Sequence, residues 1–116
     1  MHTVWFSLSL NHDTTAQEVI EKLKANPYVA LTYKDSANSV FSFGRDHGHY
    51  GRILNQTVVV VPSLTVRQKR EVIGFCFTPQ DGNALISSVA ATCFFLYPQH
   101  YRERLSFLTS HFFKEV

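Results

Sequence analysis

The run QTVVVVPSL, residues 56–64, constrains the fold more than any other stretch of the chain. Four consecutive valines leave no polar face, so a strand here cannot lie with one side in water. The run predicts a strand inside a sheet, covered on both faces and ended by Pro62, which has no N–H to donate to a ladder.

The neighbouring elements follow from periodicity. Val4, Phe6, Leu8 and Leu10 alternate with Thr3, Trp5, Ser7 and Ser9, the period of two that marks a strand with one buried face. HDTTAQEVIEKLKANP supplies a capping box expected from Thr14 to Gln17, then Ala16, Val19, Ile20 and Leu23 at helical spacing, then Asn26-Pro27 as a stop. YVALTY and SVFSF read as short strands separated by the turn formers KDSANS. TVRQKREVIGFCF predicts a hairpin with RQKR as an exposed basic turn and Val72 to Phe77 as the return strand. TPQDGNALISSVAATCFFLYP opens with turn residues and continues as a helix in which small residues alternate with Leu85, Ile86, Val89 and Phe94. Pro98 opens a last helix with Tyr101, Leu105, Leu108 and Phe112 on one stripe. The expected order, β-α-β-β-β-β-β-α-α, is an α+β class: an antiparallel or mixed sheet with about three helices packed mainly on one face. The other face is then expected to meet a second copy of the chain, giving a homo-oligomer through the sheet face.

At 116 residues, 45% of them hydrophobic, the chain reads as a single α+β domain, 1–116, with enough apolar residues for a core without disulfides or metal. No apolar run approaches the roughly 20 residues of a membrane helix, so no membrane association is expected. A net charge of +2 with dispersed Lys and Arg excludes the basic footprint of a nucleic-acid binder. Cys76 and Cys93 each sit in an apolar run without metal or redox spacing, and read as buried thiols in a reducing, cytoplasmic compartment. The start, MHTVWFSLSL, lacks the features of a signal peptide and enters a strand at once. Such a beginning fits either a piece of a longer polypeptide or a short protein whose first strand lies at an edge.

Two stretches carry candidate chemistry. FSFGRDHGHYGR, residues 41–52, holds the pair His47 and His49, which share a face if extended and need a third ligand to bind a metal. His12, His100 and His111 qualify only by elimination and Asp46 is merely adjacent, so no metal site is expected. Arg45 and Arg52 have the geometry to clamp a phosphate or a carboxylate, with Gly44, Gly48 and Gly51 giving the backbone freedom to approach it. No Walker or dinucleotide fingerprint accompanies them. Arg45, His47, His49, Tyr50 and Arg52 therefore form an interface or anion-binding loop, with contact to another chain or domain the preferred role and a solvated connection the plain alternative. In the second stretch, Gln80, Asp81 and Asn83 crowd the entry to an apolar helix. Capping accounts for Asp81 or Asn83 but does not require Gln80. No nucleophile stands beside a base, so no catalytic residue is assigned.

In their order, VWFSLSL, TTAQEVIEKLKANPYVALTY, SVFSF, a polar loop, and EVIGFCF leading through TPQDGNALIS into a helix, these elements resemble the C-terminal, substrate-binding domain of the glyceraldehyde-3-phosphate dehydrogenase superfamily. In that family an amide followed by an acid at a late strand-to-helix junction contacts the carboxamide of the nicotinamide ring; the resemblance places Gln80 and Asp81 there, near NAD or NADP. It implies a C-terminal fragment of a longer NAD(P)-dependent aldehyde dehydrogenase, whose upstream dinucleotide-binding domain carries the glycine-rich loop and the catalytic Cys and His. The isolated chain is then expected to be inactive and to bind no cofactor by itself. The alternative is a free-standing dimeric α+β ligand-binding or protein-interaction module, in which the loop of residues 44–52 takes an anionic effector or a partner.

Overall fold

The computed structural model describes residues 2–46, 56–78, 85–110 and 112–116. Among them the chain runs β1 (His2–Ser9), α1 (Ala16–Ala25), β2 (Val29–Thr32), α2 (Ala37–Asp46), β3 (Thr57–Val60), a 3-10 turn (Val61–Ser63), β4 (Thr65–Arg67) and β5 (Glu71–Thr78), then α3 (Leu85–Leu96) and the single helical turns α4 (Tyr101–Arg104) and α5 (Ser106–Thr109). The strands form one five-stranded sheet in the order β1-β5-β3-β2, with β4 also beside β5. β1, β3 and β4 are antiparallel to β5, whereas β2 and β3 are parallel, so the α+β class with a mixed sheet holds.

β3 occupies the interior position that its valines demand. Val58 and Val59 point to opposite faces and both are buried. On one face Val59 joins Leu31 and Cys76 beneath Ile20 and Leu23 of α1; on the other Val58 joins Ala30, Phe77 and Val116 beneath Val40 and Phe43 of α2. The chain's own helices thus cover β3 on both sides, instead of gathering on one. On the sheet, apolar side chains are exposed at the β1–β5 side, where Trp5 is 58% and its register partner Phe75 is 45% exposed.

SVFSF, expected as a strand, lies within helix α2. The reason is topological: β2 and β3 run parallel, and parallel neighbours need a crossover, usually helical, that a hairpin turn cannot supply. Ala37, Val40, Phe41 and Gly44 also satisfy helical spacing, and the Ser36 carbonyl accepts the N–H groups of Ser39 and Val40 to start the helix. The last helix differs as well: it is split at Leu105, which is buried, while Phe107 on the second turn stays exposed.

The remaining elements match their sequence signals closely. Gln68 and Lys69, at φ 48° and 62°, are the central residues of the turn that RQKR predicts; the Arg70 N–H closes it on the Arg67 carbonyl at 3.1 Å, so three residues separate β4 from β5. Gly74 marks a close approach, since a Cβ there would lie 2.9 Å from Phe6 Cζ and 3.0 Å from Leu64 Cδ2. The capping box sits one residue later than expected. The Glu18 N–H donates to Thr15 Oγ1 at 3.2 Å and the Thr15 N–H donates to Glu18 Oε2 at 3.0 Å, while Thr14 Oγ1 reinforces the same carboxylate at 3.1 Å. Thr15→Ala removes the cap and is expected to cost about 1 kcal/mol, read as a lower midpoint in urea with unchanged slope. Thr14→Ala should cost less, because it leaves both box bonds in place.

Candidate functional site

Most residues singled out by sequence lie outside the described part of the chain: His47, His49, Tyr50 and Arg52 in the first stretch, Gln80 and Asp81 in the second, and His111 near the end. Arg45 is placed in the last turn of α2, one residue before Asp46, which ends the helix. The described flanks do meet. β3 begins at Thr57 and β5 ends at Thr78, and Val58 is the register partner of Phe77, so the start of β3 and the end of β5 lie at one end of the sheet.

Gln56 organises that end. Its side chain is 1% exposed and spans three backbone groups: Nε2 donates to the carbonyls of Pro27 at 3.0 Å and Phe113 at 2.6 Å, and Oε1 accepts from the Phe113 N–H at 2.8 Å. One amide thereby ties together the α1–β2 turn, the start of β3 and the chain's last segment. Beside it, Asn26, Pro27 and Tyr28 line one wall of a cleft of about 570 Å³, and Ala90, Tyr101, Arg102 and Ser106 line the other. That volume falls within the small-molecule range.

Arg102 gives the cleft its charge. Its Nε donates to the Tyr101 hydroxyl at 3.1 Å, and the guanidinium carbon sits 5.7 Å from the Tyr101 ring centroid. The hydrogen bond to Tyr101 raises the guanidinium further above its already high value. Among the described residues no carboxylate pairs with Arg102 within ion-pair distance. The aromatic surroundings, Tyr28 against Phe112 at 5.6 Å and Phe94 against Tyr101 at 5.3 Å, hold the walls. Such an arrangement can receive an anionic group at its mouth. Sequence patterning does not single out Arg102; its signal is an aromatic residue followed by charged ones in HYRERL, which reads equally well as the wet face of a helix.

Nucleophilic chemistry finds no support among the described residues. Cys76 is buried in the core and burial pushes its thiol up, away from thiolate. Cys93, expected to be buried, is only partly so, because α3 leaves Phe94, Phe95 and Leu96 exposed around it. His100 Nδ1 lies 3.6 Å from Glu103 on its own helical turn, a surface pair. No group of three or more His, Cys, Asp or Glu among the described residues could hold a metal ion. No helix among them is long and apolar enough to cross a membrane. No protein-family model and no curated protein matches the chain.

Proposed function

We propose that the chain is the C-terminal substrate-binding and oligomerisation domain of a glyceraldehyde-3-phosphate dehydrogenase-like, NAD(P)-dependent aldehyde oxidoreductase of the cytoplasm. The observation that carries this reading is the exposed apolar pair on the mixed sheet, Trp5 and Phe75, which face each other across β1 and β5. A domain that joins subunits through its sheet needs such a surface. The sequence around Gln80 and Asp81 supports the cofactor side: it connects the end of β5 to the start of α3, the strand-to-helix order that the resemblance requires. In the whole enzyme an upstream domain would supply the dinucleotide fold and the nucleophile, and the nicotinamide would be the hydride acceptor for aldehyde oxidation. Gln80 would contact the carboxamide of that ring.

The test compares the 116-residue chain with the polypeptide that its gene encodes together with any upstream sequence. The chain alone is expected to produce no reduced NAD or NADP from phosphorylated or simple aldehydes. The longer polypeptide is expected to do so, and Gln80→Ala in it to raise KM for the cofactor roughly tenfold, the equivalent of one lost hydrogen bond. Aldehyde-dependent reduction by the chain alone, or a gene with no dinucleotide fold upstream, overturns the proposal.

A further inference from the structure

The two edges of the sheet are finished differently. At the β2 edge the last segment of the chain lies alongside: the Leu31 N–H donates to the Lys114 carbonyl at 3.0 Å and the Val116 N–H to the Leu31 carbonyl at 2.8 Å. At the opposite edge β1 pairs with β5, and no other strand among the described residues lies against its outer side. Open edges are ordinarily guarded by charge, proline, a bulge or shortness. β1 has none of these. Its eight residues, HTVWFSLS, include no Lys, Arg, Asp, Glu or Pro, and its register with β5 runs from His2↔Thr78 to Ser9↔Glu71 without interruption.

We infer that β1 pairs with β1 of a second copy, antiparallel across a two-fold axis normal to the sheet, joining two five-stranded sheets into one. Such an axis keeps each face continuous, so residues of equal parity meet. Centred on Trp5, it sets Trp5 opposite Trp5, Val4 opposite Phe6 and Thr3 opposite Ser7: aromatic on aromatic, apolar on apolar, hydroxyl on hydroxyl. Centred on Phe6, it would set Trp5 against Ser7, a poorer match. Charge argues for a second copy over a different partner. A self-pairing strand brings like charges close together, so it must be free of them, as β1 is, whereas a foreign strand is selected by complementary charges. Area sets how far the contact must extend. Stable interfaces begin at about 1,200 Å², more than backbone pairing alone supplies. The contact extends through exposed side chains on both faces, Trp5 with Phe75 on one and Val4 with Leu8 on the other.

This edge contact does not depend on the oxidoreductase reading, and it differs from packing of one sheet face on another. Sedimentation equilibrium of the chain, combined with hydrogen exchange of the β1 amides at low and high protein concentration, tests it. The expected result is a dimer in which alternate, outward-pointing β1 amides slow as concentration rises. Trp5→Lys, which removes the aromatic anchor and sets two cations across the axis, should weaken the dimer roughly 30-fold or more with an unchanged circular dichroism spectrum. Thr3→Lys, at an exposed position away from the axis, should weaken it less and serves if the first variant does not fold. A monomer at every concentration overturns the inference. So does a dimer whose outward β1 amides ignore concentration, which would indicate face packing, and so does a monomer with those amides already protected, which would indicate a covering segment of the same chain.

Discussion

Gln56→Ala lowers the unfolding free energy by about 3 kcal/mol, since it removes three hydrogen bonds to part-buried backbone groups, each worth roughly 0.5–1.5 kcal/mol, and leaves a gap where the buried side chain stood. The groups are the Pro27 carbonyl and the N–H and carbonyl of Phe113. The Gln56 side chain is 1% exposed, so the amide meets these groups where water has little access. For a chain of this size the change corresponds to a melting temperature lower by roughly 10 °C or more. Differential scanning calorimetry of the two proteins checks it. A loss below about 1 kcal/mol would mean that Gln56 fills space without tying the segments together. Gln56→Glu is the sharper variant: a carboxylate accepts but does not donate, so it faces two carbonyls with no proton to offer.

That residue also shows where sequence reading stops. Gln56 opens the QTVVVVPSL run, and from sequence it is an unremarkable polar residue before a strand. What makes it structural is the arrival of Phe113 from 57 residues away, a contact that no local pattern encodes. The same holds for α2. SVFSF carries both a period of two and a helical spacing over five residues, and the choice was made by the parallel pairing of β2 with β3. By contrast β1, α1, the interior position of β3 and the β4–β5 turn were legible, because each is set by its own periodicity or turn chemistry. In the cleft, Tyr28 and Arg102 come from the two ends of the chain, so only the fold places them on facing walls.

Deleting Phe113–Val116 should destabilise the domain more than any single substitution considered above, by about 4–6 kcal/mol, an amount comparable to the whole stability of many domains. Two buried or half-buried side chains leave with the segment. Val116, 3% exposed, packs among Ala30, Val40, Val58 and Phe77, and Phe113 meets the Phe43 ring edge-on at 5.1 Å. The Thr32 hydroxyl loses its acceptor, the Val116 carbonyl at 2.8 Å, and Leu31 loses both of its edge partners. Water replaces some of these bonds, since the bared β2 becomes an open edge, but it does not replace the packing on α2. The truncated chain is therefore expected to melt at least roughly 15 °C lower and to associate through β2 at high concentration. A double-mutant cycle separates the contributions. Once the segment is gone, two of the three groups held by Gln56 are gone with it, so Gln56→Ala in the truncated chain should cost much less than in the full chain, with a coupling of about 2 kcal/mol. Losses that simply add would show that the last segment and Gln56 stabilise the sheet end separately, and that the segment packs on α2 without being pinned from β3.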